Sequence, residues 1–174
     1  MANHLALRLY SAGFGRSEAR IESQLLRRGG DTESAAAAYH RLARNLPPRP
    51  KGELLWLHAA CPSSQQAAIE LLLSLREDRP DLACLLTTRP GESSLDQCPE
   101  NTHLMPLPED NGTIVARFLN NWKPDALCWI GDGFRPTLLA ATHAQMIMCV
   151  YVEAPMSRLD LDVSLPLSSL RHST

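Results

Sequence analysis

No Gly-rich phosphate loop, no serine set between glycines and no CxxC pair occurs anywhere in the 174 residues. The loop that cradles nucleotide phosphates and the nucleophile elbow of serine hydrolases therefore lack their residues. Cysteines are few, odd in number and far apart: Cys61, Cys84, Cys98, Cys128 and Cys149. Neither a disulfide framework nor zinc-ligand spacing is present, which suits a reducing cytosol and makes a structural metal improbable. No apolar run approaches the roughly 18 residues of a membrane-spanning helix, and no signal peptide is visible. The brief run Leu5–Tyr10 is too short to anchor anything.

What is present belongs to a globular chain. Apolar residues make up 44% and charged residues 21%, within the range of a single domain with a real core. The net charge of −2 is unevenly spread. Residues 1–52 carry nine Lys/Arg against four Asp/Glu, whereas residues 53–174 carry eight against fifteen. A basic leader on an acidic body is compatible with an anionic surface, membrane or nucleic acid, touching the leader; a solvated Arg-rich helical face is the plainer alternative.

Punctuation divides the leader. Ser17 to Arg28 reads as a helix stopped by Gly29-Gly30, and Asp31 or Thr32 caps a second helix running to about Arg44. Pro47-Pro48-Arg49-Pro50 then forms a stiff connector. After Gly52 strands and helices alternate. Strands are expected at about 53–60, 82–87, 103–107, 126–130 and 146–152, with helices at about 63–77, 112–121 and 136–143. In the first of these helices Ala68, Leu71, Leu72 and Leu75 form one apolar face. Ala126–Ile130 is almost continuously apolar, as a strand covered on both faces should be. The alternation predicts an α/β, Rossmann-like domain: a parallel sheet of about five strands with flanking helices and right-handed crossovers. The expected organisation is a helical basic leader (1–52), this domain (53–159) and a C-terminal tail (160–174).

Open parallel sheets place their chemistry at the carboxyl ends of strands. Two loops qualify here. Cys61-Pro62-Ser63-Ser64 opens a helix with proline at its first position, so backbone N–H groups and the hydroxyls of Ser63 and Ser64 face an incoming phosphate or sugar. The competing reading is that both serines merely cap the helix. Gly131-Asp132-Gly133-Phe134-Arg135-Pro136 supplies the second loop. Asp132 is the carboxylate nearest the cleft floor in sequence, and Arg135 suits an anionic substrate; alternatively they pair to hold a turn. The two glycines allow a sharp turn or a close approach. His58, late in the first strand, is either a core histidine or a base, and Cys61 is a conceivable nucleophile. Trp56, Trp122 and Trp129 read as packing.

Leu54-Leu55-Trp56-Leu57-His58-Ala59-Ala60, followed by Ala67-Ala68-Ile69, resembles the strand Leu-Ile-Trp-Ile-His-Ala and the Ala-rich helix of one glycosyltransferase family. Leu85-Leu86-Thr87-Thr88, Pro106-Leu107-Pro108, Phe118 to Leu127 and Pro136-Thr137-Leu138-Leu139 follow the same pattern in order. The stretch Pro50–Leu159 thus resembles the N-terminal domain of 3-deoxy-D-manno-octulosonic acid (Kdo) transferases, which add Kdo to lipid A precursors.

The resemblance implies one half of a GT-B fold, with the acceptor bound on this half. It also locates the departures. The family's Ser-Val-Gly-Glu carries the glutamate taken as general base, and Ser64 stands at its place. A serine cannot serve as that base near neutral pH. The family's Glu-Thr-Glu-Leu-Trp-Pro is replaced by Gly131 to Pro136, with Asp132 as the remaining carboxylate. The family's membrane segment and nucleotide-sugar domain have no counterpart in the sequence. Expected, then, is an acceptor-side domain inactive as an isolated chain, with Ser63, Ser64, Asp132 and Arg135 as candidate substrate contacts and no cofactor. Its partners would be a lipid A precursor, a second chain supplying the nucleotide-sugar domain, and an anionic membrane at its periphery, with no nucleic acid. Its place would be the cytoplasm, at the inner membrane surface. The alternatives are a non-catalytic binding or regulatory module, and a small hydrolase or transferase using Cys61 and His58.

Overall fold

The computed structural model describes residues 17–28, 35–90, 98–131, 133 and 135–152. Helices α1 (Glu18–Arg28) and α2 (Ala35–Arg41) precede β1 (Leu54–Ala59), α3 (Pro62–Asp78), β2 (Ala83–Thr88) and β3 (Thr102–Pro106). Then come α4 (Gly112–Trp122), β4 (Ala126–Ile130), α5 (Pro136–Ala144) and β5 (Met148–Val152). All four strand pairings are parallel, in the order β3-β2-β1-β4-β5. This is the Rossmann-like α/β sheet that the alternation predicts.

Successive strand residues point to opposite faces, so β1 divides its side chains between two cores. Leu54 and Trp56 join a core with Leu85, Ile114, Phe118, Trp122, Leu127 and Trp129. Leu57 and Ala59 join a second with Ala68, Leu72, Leu86, Cys128 and Ile130. Helices α4 and α5 cover the first face together with the leader, whose Ile21, Leu25, Ala38 and Leu42 are buried in the same core. On the second face α3 buries Ala68 and Leu72, while Leu71, expected on its apolar face, is 37% exposed. The three tryptophans are all buried, as packing residues should be.

The leader is held by charge as well as by apolar burial. Glu18 accepts from Arg44 at 2.9 Å and from Arg117 of α4 at 2.9 and 3.1 Å, and Arg44 also grips Glu22. Burial pushes the Glu18 carboxyl up, but the two guanidinium groups outweigh it and hold it below its ordinary range. Arg41 pairs with Glu109, and Arg49 donates to Asp125 at 3.0 Å and to the Trp122 carbonyl at 2.8 Å. Arg41, Arg44 and Arg49 of the leader are thus engaged by carboxylates of their own chain.

The start of β5 differs from the sequence reading. Met146, expected to open β5, has φ +59, and the N–H groups of Gln145, Met146 and Ile147 bond back to carbonyls of α5. The helix end therefore consumes two residues of the expected strand. The expected caps Asp31 and Thr32 and the tail 160–174 lie outside the described residues, as does Leu5–Tyr10.

Candidate functional site

In this strand order the chain leaves β1 toward β2, then later returns to β4 on the other side of β1. The crevice where connections diverge lies at the carboxyl ends of β1 and β4, and ligands of open α/β sheets bind at such a switch point. Both loops singled out in the sequence emerge there. Ala60 N–H bonds the Ile130 carbonyl at 3.4 Å between them, and Gly131 N–H bonds the Val152 carbonyl of β5 at 3.0 Å. Gly131 has φ +103, and a Cβ on it would stand 3.5 Å from the Ala60 Cβ and 3.8 Å from Ser64 Oγ. Glycine is favoured there by its conformation, while the space beside it would admit a Cβ at ordinary contact distance.

The first loop is shaped by Ser64. Its Oγ accepts from the Cys61 N–H at 3.0 Å and donates to the Cys61 carbonyl at 2.9 Å, and the side chain is only 3% exposed. The serine expected to contact substrate is closing the first turn of α3. Ser63 is exposed, with its Oγ 3.2 Å from Cys61 Sγ; Ser64 Oγ lies equally close to that sulfur. Hydrogen bonds from Ser63 and then Ser64 hold the half-exposed Cys61 thiol below its ordinary range. The other buried thiols behave oppositely, and burial drives Cys84 up to about 12.

His58 is 1% exposed, its Nδ1 3.1 Å from Thr87 Oγ1 and its ring 4.0 Å from that of Trp129. Thr87 Oγ1 also accepts the Trp56 indole N–H at 2.9 Å. Burial pushes the imidazole down to about 3, aided by the positive charges of Arg135 and Arg89. A histidine this acidic is neutral throughout the physiological range and is walled in by aromatic and threonine side chains. It belongs to the floor of the crevice.

The second loop brings Arg135 to the start of α5, where its backbone carbonyl accepts the Leu139 N–H. Asp132 lies outside the described residues. Two further residues enter that the sequence did not single out. Arg89, just past β2, places its guanidinium within 3.7 Å of where a Cβ on Gly133 would stand. Asp110 accepts from the Thr137 and Leu138 N–H groups at 3.2 and 2.9 Å, so the N-terminus of α5 is already occupied by a carboxylate. An Asp 27 positions before a helix gives no local capping signal. Only the turning of β3 into α4 beside α5 makes the contact. Among the described residues, Arg89 beside Gly133 and Arg135, whose charge reaches His58, bring positive charge to this end of the sheet. Among the described residues no cluster of His, Cys, Asp or Glu is suited to a metal, and no helix is long and apolar enough to cross a membrane.

Residues 34–171 match the family described as 3-Deoxy-D-manno-octulosonic-acid transferase (kdotransferase). The chain is 32% identical over 130 residues to a probable mitochondrial 3-deoxy-D-manno-octulosonic acid transferase of Arabidopsis thaliana, covering 70% of this chain and 29% of that protein. It is 28% identical over 160 residues to the 3-deoxy-D-manno-octulosonic acid transferase of Rickettsia felis, covering 79% and 34% respectively. The homologous Rickettsia typhi protein is 26% identical over 131 residues. The chain spans about a third of the length of the curated relatives it matches, with 34% the largest share. No solved structure matches it at a significant level.

Proposed function

The chain belongs to the Kdo transferase family as an N-terminal domain, and from that membership we propose that it is the acceptor-side half of a Kdo-transferase-like glycosyltransferase. The reading is supported by Arg89 and Arg135, whose positive charges both act on His58 of β1, next to the β1/β4 switch point. Two guanidinium groups suit a phosphate-bearing disaccharide lipid such as a lipid A precursor. Ser63 and Arg135, with Asp132, contact this acceptor, while Ser64 fixes the turn that presents them. The isolated chain does not transfer sugar. Its Ser64 hydroxyl is engaged by the Cys61 backbone where the family places a glutamate, so that position supplies no general base. The protein works in the cytoplasm, at the periphery of the inner membrane.

The burial of Ser64 also favours a second reading, a binding or regulatory module that keeps the fold without the chemistry. One titration separates the two. The purified chain is titrated with lipid A precursor disaccharide and with CMP-Kdo, alongside Arg135→Ala, Arg89→Ala and Asp132→Ala. Saturable binding of the disaccharide alone, weakened about tenfold by either arginine substitution, is expected for loss of one charge-assisted contact. No binding of either ligand would leave the module reading. Ser64→Glu by itself should yield no Kdo transfer.

A further inference from the structure

Helix α5 begins without a local cap. Its N-cap is Arg135, whose side chain makes no cap bond, and its first residue is Pro136, which has no N–H. The donors left over are the Thr137 and Leu138 N–H groups, at the positions an N-cap side chain ordinarily serves. A guanidinium has no acceptor to offer them, and its charge is unfavourable beside a helix N-terminus. Serine or aspartate at 135 would suit the helix better.

Asp110 supplies the cap instead, from the connection between β3 and α4. One of its oxygens takes the Leu138 N–H at 2.9 Å and the other the Thr137 N–H at 3.2 Å. Both of its chain neighbours are anchored. Glu109 accepts from the Arg41 Nε at 3.0 Å and donates its own N–H to the Arg41 carbonyl at 2.9 Å. Asn111 donates its N–H to the Glu109 carbonyl at 2.8 Å, and its side chain caps α4 through Thr113 and Ile114. Asp110 is thus tied to α2 and α4, whereas α5 has nine residues and buries only Leu138 and Thr142. The firmly held group places the lightly held one.

We propose that Asp110 is a positioning residue for Arg135: its carboxylate supplies the cap that position 135 would otherwise provide, and so lets an arginine stand at the start of α5. The arginine is placed through its backbone, whose carbonyl accepts the Leu139 N–H at 2.9 Å. That Arg135 then meets a phosphate rests on the acceptor reading; that Asp110 places it does not.

Hydrogen exchange of the full chain tests the placement without a ligand. Asp110→Ala should speed exchange about tenfold or more at Thr137, Leu138 and also Leu139, because the Arg135 carbonyl leaves its place. Asp110→Asn, which keeps one acceptor, should fall between, and Asn111→Ala should leave these three amides unchanged. In Arg135→Ser, whose hydroxyl can cap the helix itself, Asp110→Ala should speed them less than about threefold. Equal acceleration in the arginine and serine backgrounds would overturn the proposal, as would acceleration at Thr137 and Leu138 that stops short of Leu139. Titration with lipid A precursor disaccharide reads the consequence. Asp110→Ala should weaken binding about fivefold when Arg135 is present and not in Arg135→Ala. Equal weakening in both backgrounds would refute the positioning, whereas failure of the unaltered chain to bind refutes the acceptor reading and leaves exchange to decide the positioning.

Discussion

Acid should weaken this fold through His58 before its carboxylates titrate. The imidazole is sealed beneath the crevice against Thr87 and Trp129 and is pushed down to about 3 in the folded chain, against about 6.5 when unfolded. Because the folded value is depressed, the unfolded chain binds the proton first. The stabilisation is complete above pH 6.5 and is lost as pH falls toward 3. At about 1.4 kcal/mol per pH unit, the loss between pH 7 and pH 5 is about 2 kcal/mol. That window lies above the range in which ordinary carboxylates titrate. Urea unfolding followed by tryptophan fluorescence should show the midpoint dropping by about 1 M between those pH values. His58→Leu should be less stable at pH 7, for loss of the Thr87 bond, yet nearly flat over the same window. Equal pH slopes in the two proteins would refute the reasoning, as would a His58 ring resonance titrating near its ordinary value.

Further outcomes follow from the two loops. Gly131→Ala should destabilise the chain by about 1–3 kcal/mol, since φ +103 is strained for any residue with a Cβ; an unchanged urea midpoint would count against that strain. Ser64→Ala, removing both bonds to the Cys61 backbone, should cost about 1–2 kcal/mol by the same assay. Cys61 should alkylate with iodoacetamide well before Cys84, and Ser63→Ala should slow it by removing a bond to the sulfur. Indifference of the Cys61 rate to Ser63→Ala would sink the proposed cause.

The sequence by itself determined the periodic and local features. Alternating apolar runs located all five strands and the three helices between them, because burial on a sheet or helix face imposes its period on the chain. The proline and serines after β1 marked the start of α3, and the glycines of residues 131–133 marked a turn that only positive φ permits, seen at Gly131 and Gly133. Local pattern also carried the family resemblance. Tertiary structure decided whatever depends on residues distant in sequence. Ser64 had two competing roles in sequence, helix cap or substrate contact, and the geometry shows its hydroxyl closed onto Cys61. Arg89 and Asp110 carried no local signal; the first reaches the crevice because β2 lies beside β1, the second because β3 and α4 bring it to α5. The leader's basic charge was read either as a solvated face or as a contact for an anionic surface, whereas Arg41, Arg44 and Arg49 pair with Glu109, Glu18, Glu22 and Asp125. Hydrophobic periodicity is written in neighbours along the chain, while charge pairing and crevice chemistry are written in neighbours across space.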